Sequence, residues 1–212
     1  MTESMPTPSP ELGLIARAIG VVTAPTATFA AVVQSPRSAA MLLLVAILIG
    51  GASAAPQFTE KGRQATLAMQ VQQVERFTGQ PVSDEMYQQF EIASHSSMGG
   101  VWALVGTLVV MPIVALFFAG LYWGIFNTVM GGTASFKQVL GIISHSMVIM
   151  ALGALATMPV QLMAEKMTAM GPFHLGALAP MLEPTSALAS FLAGMNLFTL
   201  WQIAVIAIGL GV

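Results

Sequence analysis

The stretch "TAPTATFAAVVQSPRSAAMLLLVAILIGG", Thr23–Gly51, decides the fold. From Ser38 onward it is a plain apolar run, the mark of a membrane span, since crossing a bilayer takes about 20 predominantly apolar residues. The part before it is different. Pro25 and Pro36 bracket a short helical pattern carrying Phe29, Val32 and Val33, and Arg37 stands between that pattern and the apolar run. Such a piece is too short to span. It fits a helix lying in the plane of the interface, ended by Pro36, with Arg37 among headgroups. Phe29, Val33 and Arg37 are therefore predicted to form an interfacial wedge.

Upstream, "ELGLIARAIGVV" sets Leu12, Ile15, Ile19 and Val22 on one helical stripe, a second interfacial element. Ser9, Pro10 and Glu11 read as its N-terminal signal. Residues 1–10, polar and Pro-rich, read as a disordered lead without the basic n-region of a cleavable signal.

Composition agrees with a membrane class. The 212 residues are 56% hydrophobic and 8% charged, where soluble domains carry roughly 25% charged residues. Mean hydropathy is +0.80. There is no cysteine, which excludes disulfides, thiolate nucleophiles and Cys-metal sites. A net charge of −2 with scattered Lys and Arg leaves no basic patch for nucleic acid.

The expected fold is an all-α polytopic membrane bundle with four visible spans, at about 38–55, 99–130, 136–163 and 191–212, following interfacial helices over 11–36. Residues 57–97 are the long polar connection. Leu67, Val71 and Val74 share one helical face there, Met86, Phe90 and Ala93 another, and Ser83 before Asp84 and Glu85 is a natural N-cap. This predicts a helical hairpin outside the bilayer. Pro112 and Pro159 are predicted to kink the second and third spans. Gly120 and Gly124 form a GxxxG pattern that permits close helix approach. Gly131-Gly132 closes the second span, and Thr133 or Ser135 caps the third. A second external loop runs over 164–185. The chain stops within the apolar run "IAVIAIGLGV", which reads as a sequence ending before the true C-terminal part. The positive-inside rule weights Arg17, Arg37 and Lys137, on short segments near span ends, and favours an inside N-terminus.

The candidate chemistry centres on "SHS", Ser144-His145-Ser146, placed inside the third span. An intramembrane ionisable residue is a functional hypothesis by default. The plainer alternative has His145 facing the bundle and bonded to Asn127, a serine hydroxyl or Gln202. Neighbours on a helix point about 100° apart, and no acid lies in a span to orient the imidazole, so no nucleophile–base–acid set is predicted. No HExxH, paired aspartate or Walker motif is present. His95 and His174 show no ligand spacing, so neither metal nor cofactor is expected. The 16 methionines include a group at Met150, Met158, Met163, Met167 and Met170, which reads as adaptable apolar filler or, less simply, as a partner surface.

Pro25 followed by "TATF", then "VVQSPR" and a first span, resembles the start of the Yip-domain family of multi-span membrane proteins (Ypt-interacting proteins). "NTVMGGTASFKQVLGIISHS", "MPVQL" and "LFTLWQIAVIAIGLG" are similar to the same family in order and spacing, over roughly residues 11–212. The resemblance implies a helical membrane protein with a cytoplasmic N-terminus, typically of five spans, so a fifth would follow Val212. It also implies links to small Rab-type GTPases, membrane traffic and shaping, and self-association. The long helical loop and compact size look like prokaryotic members, which implies the cytoplasmic membrane. The family supplies no catalytic residue. Three functions remain in play: a non-enzymatic organiser of membrane or protein partners, a small transporter or channel built around His145 and the two helix prolines, and an intramembrane enzyme.

Overall fold

The computed structural model describes residues 12–96, 98–163, 171–179, 181–182 and 186–212. The lead 1–10, the cap signal Ser9 to Glu11, and Met167 and Met170 lie outside the described residues.

Helices α1 (Leu14–Thr23) and α2 (Pro25–Gln34) form a short hairpin. Pro25 sits at the first position of α2, where its missing N–H costs nothing. Helix α3 (Ser38–Ala54) runs on through a tight turn, Ala55–Phe58. Helices α4 (Glu60–Thr78) and α5 (Asp84–His95) are the expected hairpin. Thr59 and Ser83 cap them by accepting from Gly62 N at 3.1 Å and Met86 N at 3.3 Å. Gly79 takes the left-handed conformation that ends α4 (φ 69°), which a Cβ would disfavour.

Helix α6 (Gly99–Gly124) passes through Pro112 unbroken and ends in one wide turn, Ile125–Val129. Helix α7 (Phe136–Met163) likewise continues through Pro159. It opens with a reciprocal cap: Gln138 N donates to Ser135 Oγ at 3.4 Å, and Ser135 N donates to Gln138 Oε1 at 2.8 Å. Helices α8 (Ala187–Gly194) and α9 (Leu197–Leu210) complete the chain. Among the described residues no extended strand occurs, only a bridge between His174 and Asn196.

Among the described residues three helices are long and apolar enough to cross a membrane: Ser38–Phe58, Gly99–Val129 and Phe136–Met163. The apolar run expected as one span from about 191 is divided. Asn196 Oδ1 accepts from Phe198 N at 2.9 Å and starts α9 afresh, while Leu197 N donates to Phe173 O at 2.9 Å and Leu175 N to Met195 O at 3.0 Å. At 14 residues α9 is about 21 Å long, less than the ~30 Å hydrocarbon core.

Helix α7 is the hub. It contacts α1, α2, α3, α6 and α9, and 67% of its most apolar window is buried, against 11% for α6. Met41 and Val45 of α3, Ala115 and Ala119 of α6, and Ile143 and Met147 of α7 form one buried cluster. Val21, Phe29, Val32, Ile142, Ile149 and Val205 form the other, joining the α1–α2 hairpin to α7 and α9. Close approach there needs glycine: a Cβ on Gly209 would lie 2.5 Å from Ile142 Cγ2 and 3.2 Å from the Phe29 ring.

Candidate functional site

The α1–α2 hairpin is built inside out relative to a water-facing one. Leu12, Ile15 and Ile19, the apolar stripe read from the sequence, are 40%, 60% and 58% exposed, whereas Arg17 is 1% exposed. The guanidinium turns inward. Its Nε donates to Leu12 O at 3.0 Å, Nη1 to Ser35 O at 2.7 Å and Nη2 to Ser35 Oγ at 2.6 Å. One planar fork thus ties the segment before α1 to the end of α2, and satisfies the Ser35 carbonyl that the C-terminus of α2 leaves open. In a helix bathed in lipid the outer face is apolar and the polar group turns to protein, which is the reverse of the soluble rule.

Phe29 corrects the expectation of a wedge. It is fully buried between α7 and α9, because α2 docks on both helices and aims this ring at the space beside Gly209. Val33 is half-buried. Arg37 is exposed at the start of α3. The outward apolar residues of this region are those of α1. On the α1 wheel Arg17 falls opposite the apolar stripe, the place of a solvated charge, and its bonds to Ser35 form only because α2 folds back.

Ser144, His145 and Ser146 are sealed inside the bundle at 0% exposure. His145 Nδ1 lies 2.7 Å from Gly141 O, and a carbonyl only accepts, so Nδ1 carries the proton. Ser144 Oγ, 3.3 Å from that nitrogen, also donates to Gly141 O at 3.0 Å. Ser146 Oγ donates to Ile143 O at 2.8 Å. Both hydroxyls bond back into their own helix, and no carboxylate among the described residues bonds to the ring. His145 Nε2 is buried without a hydrogen-bond partner.

Asn127 and Gln202 are not brought to this imidazole. Asn127 sits in the turn after α6 and donates to Ala134 O at 2.8 Å, beside Trp123 Nε1, which donates to the same oxygen at 3.1 Å. Gln202 lies on α9 and faces a different space, a cavity of about 530 Å³ on the flank of α7 lined also by α3, α6 and the start of α4. Gly120 and Gly124 meet no other atom at the position of a Cβ, so they mediate no packing within the chain. Close approach inside the bundle uses other glycines: Gly141 against Pro36, Gly153 against Phe198, and Gly209.

Outside the bilayer-length helices, a polar groove between α4 and α5 contains Glu60, Arg63, Glu91 and His95. Arg63 is paired with Glu60. Its hydrogen bond, followed by its charge and a hydrogen bond from Gln64, holds the Glu60 carboxyl below its ordinary value of 4.5 against a weaker upward push from burial. No group of three or more metal-ligating side chains occurs among the described residues.

Comparison with known proteins is consistent with this architecture. The family model for the Yip1 domain matches residues 19–212, from within α1 to the last residue. No curated protein and no solved structure matches the chain. With three bilayer-length apolar helices among the described residues, α7 at their centre, and that match over nearly its whole length, the chain is an integral membrane protein and belongs to the Yip1-domain family.

Proposed function

We propose that this protein organises membrane and protein partners without catalysing a reaction, and that α1 is its membrane-active element. The observation that carries this reading is the inverted α1: Ile15 and Ile19 point away from the protein while Arg17 is spent on holding the helix to the end of α2. An amphipathic helix with its apolar face outward, anchored rigidly to a transmembrane bundle, adds area to one leaflet at headgroup level. That is the property a membrane-shaping or curvature-sensing protein needs. The N-terminus is placed on the cytoplasmic side of a prokaryotic cytoplasmic membrane. The partners are the bilayer, further copies of the chain or other membrane proteins, and, on family grounds alone, a small GTPase.

The open face of α6 supports self-association. Ile113, Phe117 and Leu121 are exposed there, and the Gly120 and Gly124 positions are free for a second helix to approach. A polar carrier site around His145 finds no support in the geometry, since Asn127 and Gln202 lie elsewhere and the imidazole is sealed.

The test is reconstitution of purified protein into liposomes followed by electron cryomicroscopy. Wild-type protein is expected to shift vesicles to smaller diameters or tubules, and the double variant Ile15→Ser, Ile19→Ser to leave them unchanged while remaining folded. Equal remodelling by both proteins ends the wedge reading.

A further inference from the structure

The cavity beside α7 has a composition that selects its occupant. Met111, Met147 and Met150 line it, and Thr157 and Gln161 line it further toward the end of α7. Gln202 enters from α9 near the level of Met150. The volume of about 530 Å³ lies within the roughly 300–1,000 Å³ of small-molecule sites, which combine apolar walls with a few convergent polar groups. Among the described residues no Asp, Glu, Lys or Arg lines it.

The amide of Gln202 makes no hydrogen bond to any described residue, although it offers two donors and two acceptor lone pairs. It stands at the middle of α7, at hydrocarbon depth, where water is not at hand to satisfy it. A bound molecule with a carbonyl or hydroxyl oxygen would do so. A charged head is disfavoured there, because no described residue of the wall neutralises it. The methionine wall suits a flexible chain of no fixed shape, since unbranched thioethers repack around what they touch.

We infer that this cavity is a binding site for an uncharged glycerolipid of the diacylglycerol type. An ester carbonyl or hydroxyl accepts from or donates to Gln202, further head oxygens face Thr157 and Gln161, and an acyl chain lies along Met111, Met147 and Met150. The site gives the protein a means of reading the neutral-lipid content of its bilayer.

The experiment is photolabelling of the full-length protein in bilayers doped with a diacylglycerol carrying a diazirine on one acyl chain, followed by peptide mapping. Adducts are expected on the peptides bearing Met147, Met150 and Gln202, displaced by unlabelled diacylglycerol but not by phosphatidylglycerol. Ala154→Phe, which narrows the cavity, is expected to abolish them. Because that change can disturb the bundle, Gln202→Leu decides: it keeps the volume and is expected to weaken labelling about fivefold, the loss of one neutral hydrogen bond. Adducts spread over the outward Ile113 and Phe117 would show ordinary annular lipid and overturn the proposal. Equal displacement by phosphatidylglycerol, undiminished labelling in Gln202→Leu, or cross-linking of the cavity to a second copy of the chain would overturn it equally.

Discussion

Two buried polar side chains, Arg17 and His145, look alike in a sequence and differ in what they do. Arg17 makes three charge-assisted bonds to described residues, and they join the segment before α1 to the end of α2. Each such bond contributes about 1.5–3 kcal/mol, and its loss leaves Ser35 O and Leu12 O unsatisfied. Arg17→Ala is therefore expected to lower stability by about 3 kcal/mol and to free α1, read as thermal unfolding in detergent and as new protease sensitivity near Thr23. Arg17→Lys should recover only part, since an ammonium cannot fork. Among the described residues His145 bonds only within its own helix, to Gly141 O and Ser144 Oγ, and does not line the cavity beside α7. His145→Leu is expected to cost about 1 kcal/mol and to leave liposome remodelling intact. A loss of remodelling from a protein that still folds would restore the imidazole as a functional group. The sequence showed His145 inside a span, because an ionisable residue in an apolar run is conspicuous. It did not show which way Arg17 or Phe29 points, because both answers depend on α2 folding back across α7.

Elements were legible where local chemistry sets them. Ser83, Ser135 and the Gly131-Gly132 turn mark boundaries that the structure keeps, and α4 buries Leu67 of its stripe, whereas Met86 and Ala93 of the α5 stripe stay exposed because Tyr87, Glu91 and His95 face the groove with α4. The division of the last apolar run was not legible, because Asn196 acts as a cap only when Phe173 comes alongside to pair with Leu197. Packing at this scale rests on glycine contacts that a GxxxG search passes over. Gly209→Val would drive a side chain into Ile142 and Phe29, and is expected to cost about 1–3 kcal/mol by overpacking, measured as a fall in Tm. The extramembrane hairpin carries a pH dependence of known sign. Glu60 is more acidic in the folded chain than its ordinary 4.5. Its contribution is complete above that value and is lost as pH falls through the lower folded value. Hydrogen-exchange protection of the first turn of α4 should therefore decline in acid, modestly, and less in high salt, because the pair is exposed to screening.

Across the whole molecule, burial is graded from α7 at the centre to α6 at the edge, and an edge helix with an open small-residue face is where a second copy is expected to dock. In Gly120→Ile the new Cβ meets no atom of its own chain within 4 Å. It is expected to leave the Tm of the monomer nearly unchanged and to reduce dimers counted by single-molecule photobleaching in bilayers; an unchanged count would move the contact elsewhere. The central claim, that α1 lays its apolar face into lipid, is tested most directly by its depth. Nitroxide labels at Ile15 and Ile19, with one at Gln72 of α4 as a water-facing reference, would be compared in bilayers for collision with oxygen and with a polar nickel chelate. The account predicts high oxygen and low nickel accessibility at Ile15 and Ile19, and the reverse at Gln72. Nickel accessibility at Ile15 and Ile19 equal to that at Gln72 would contradict it.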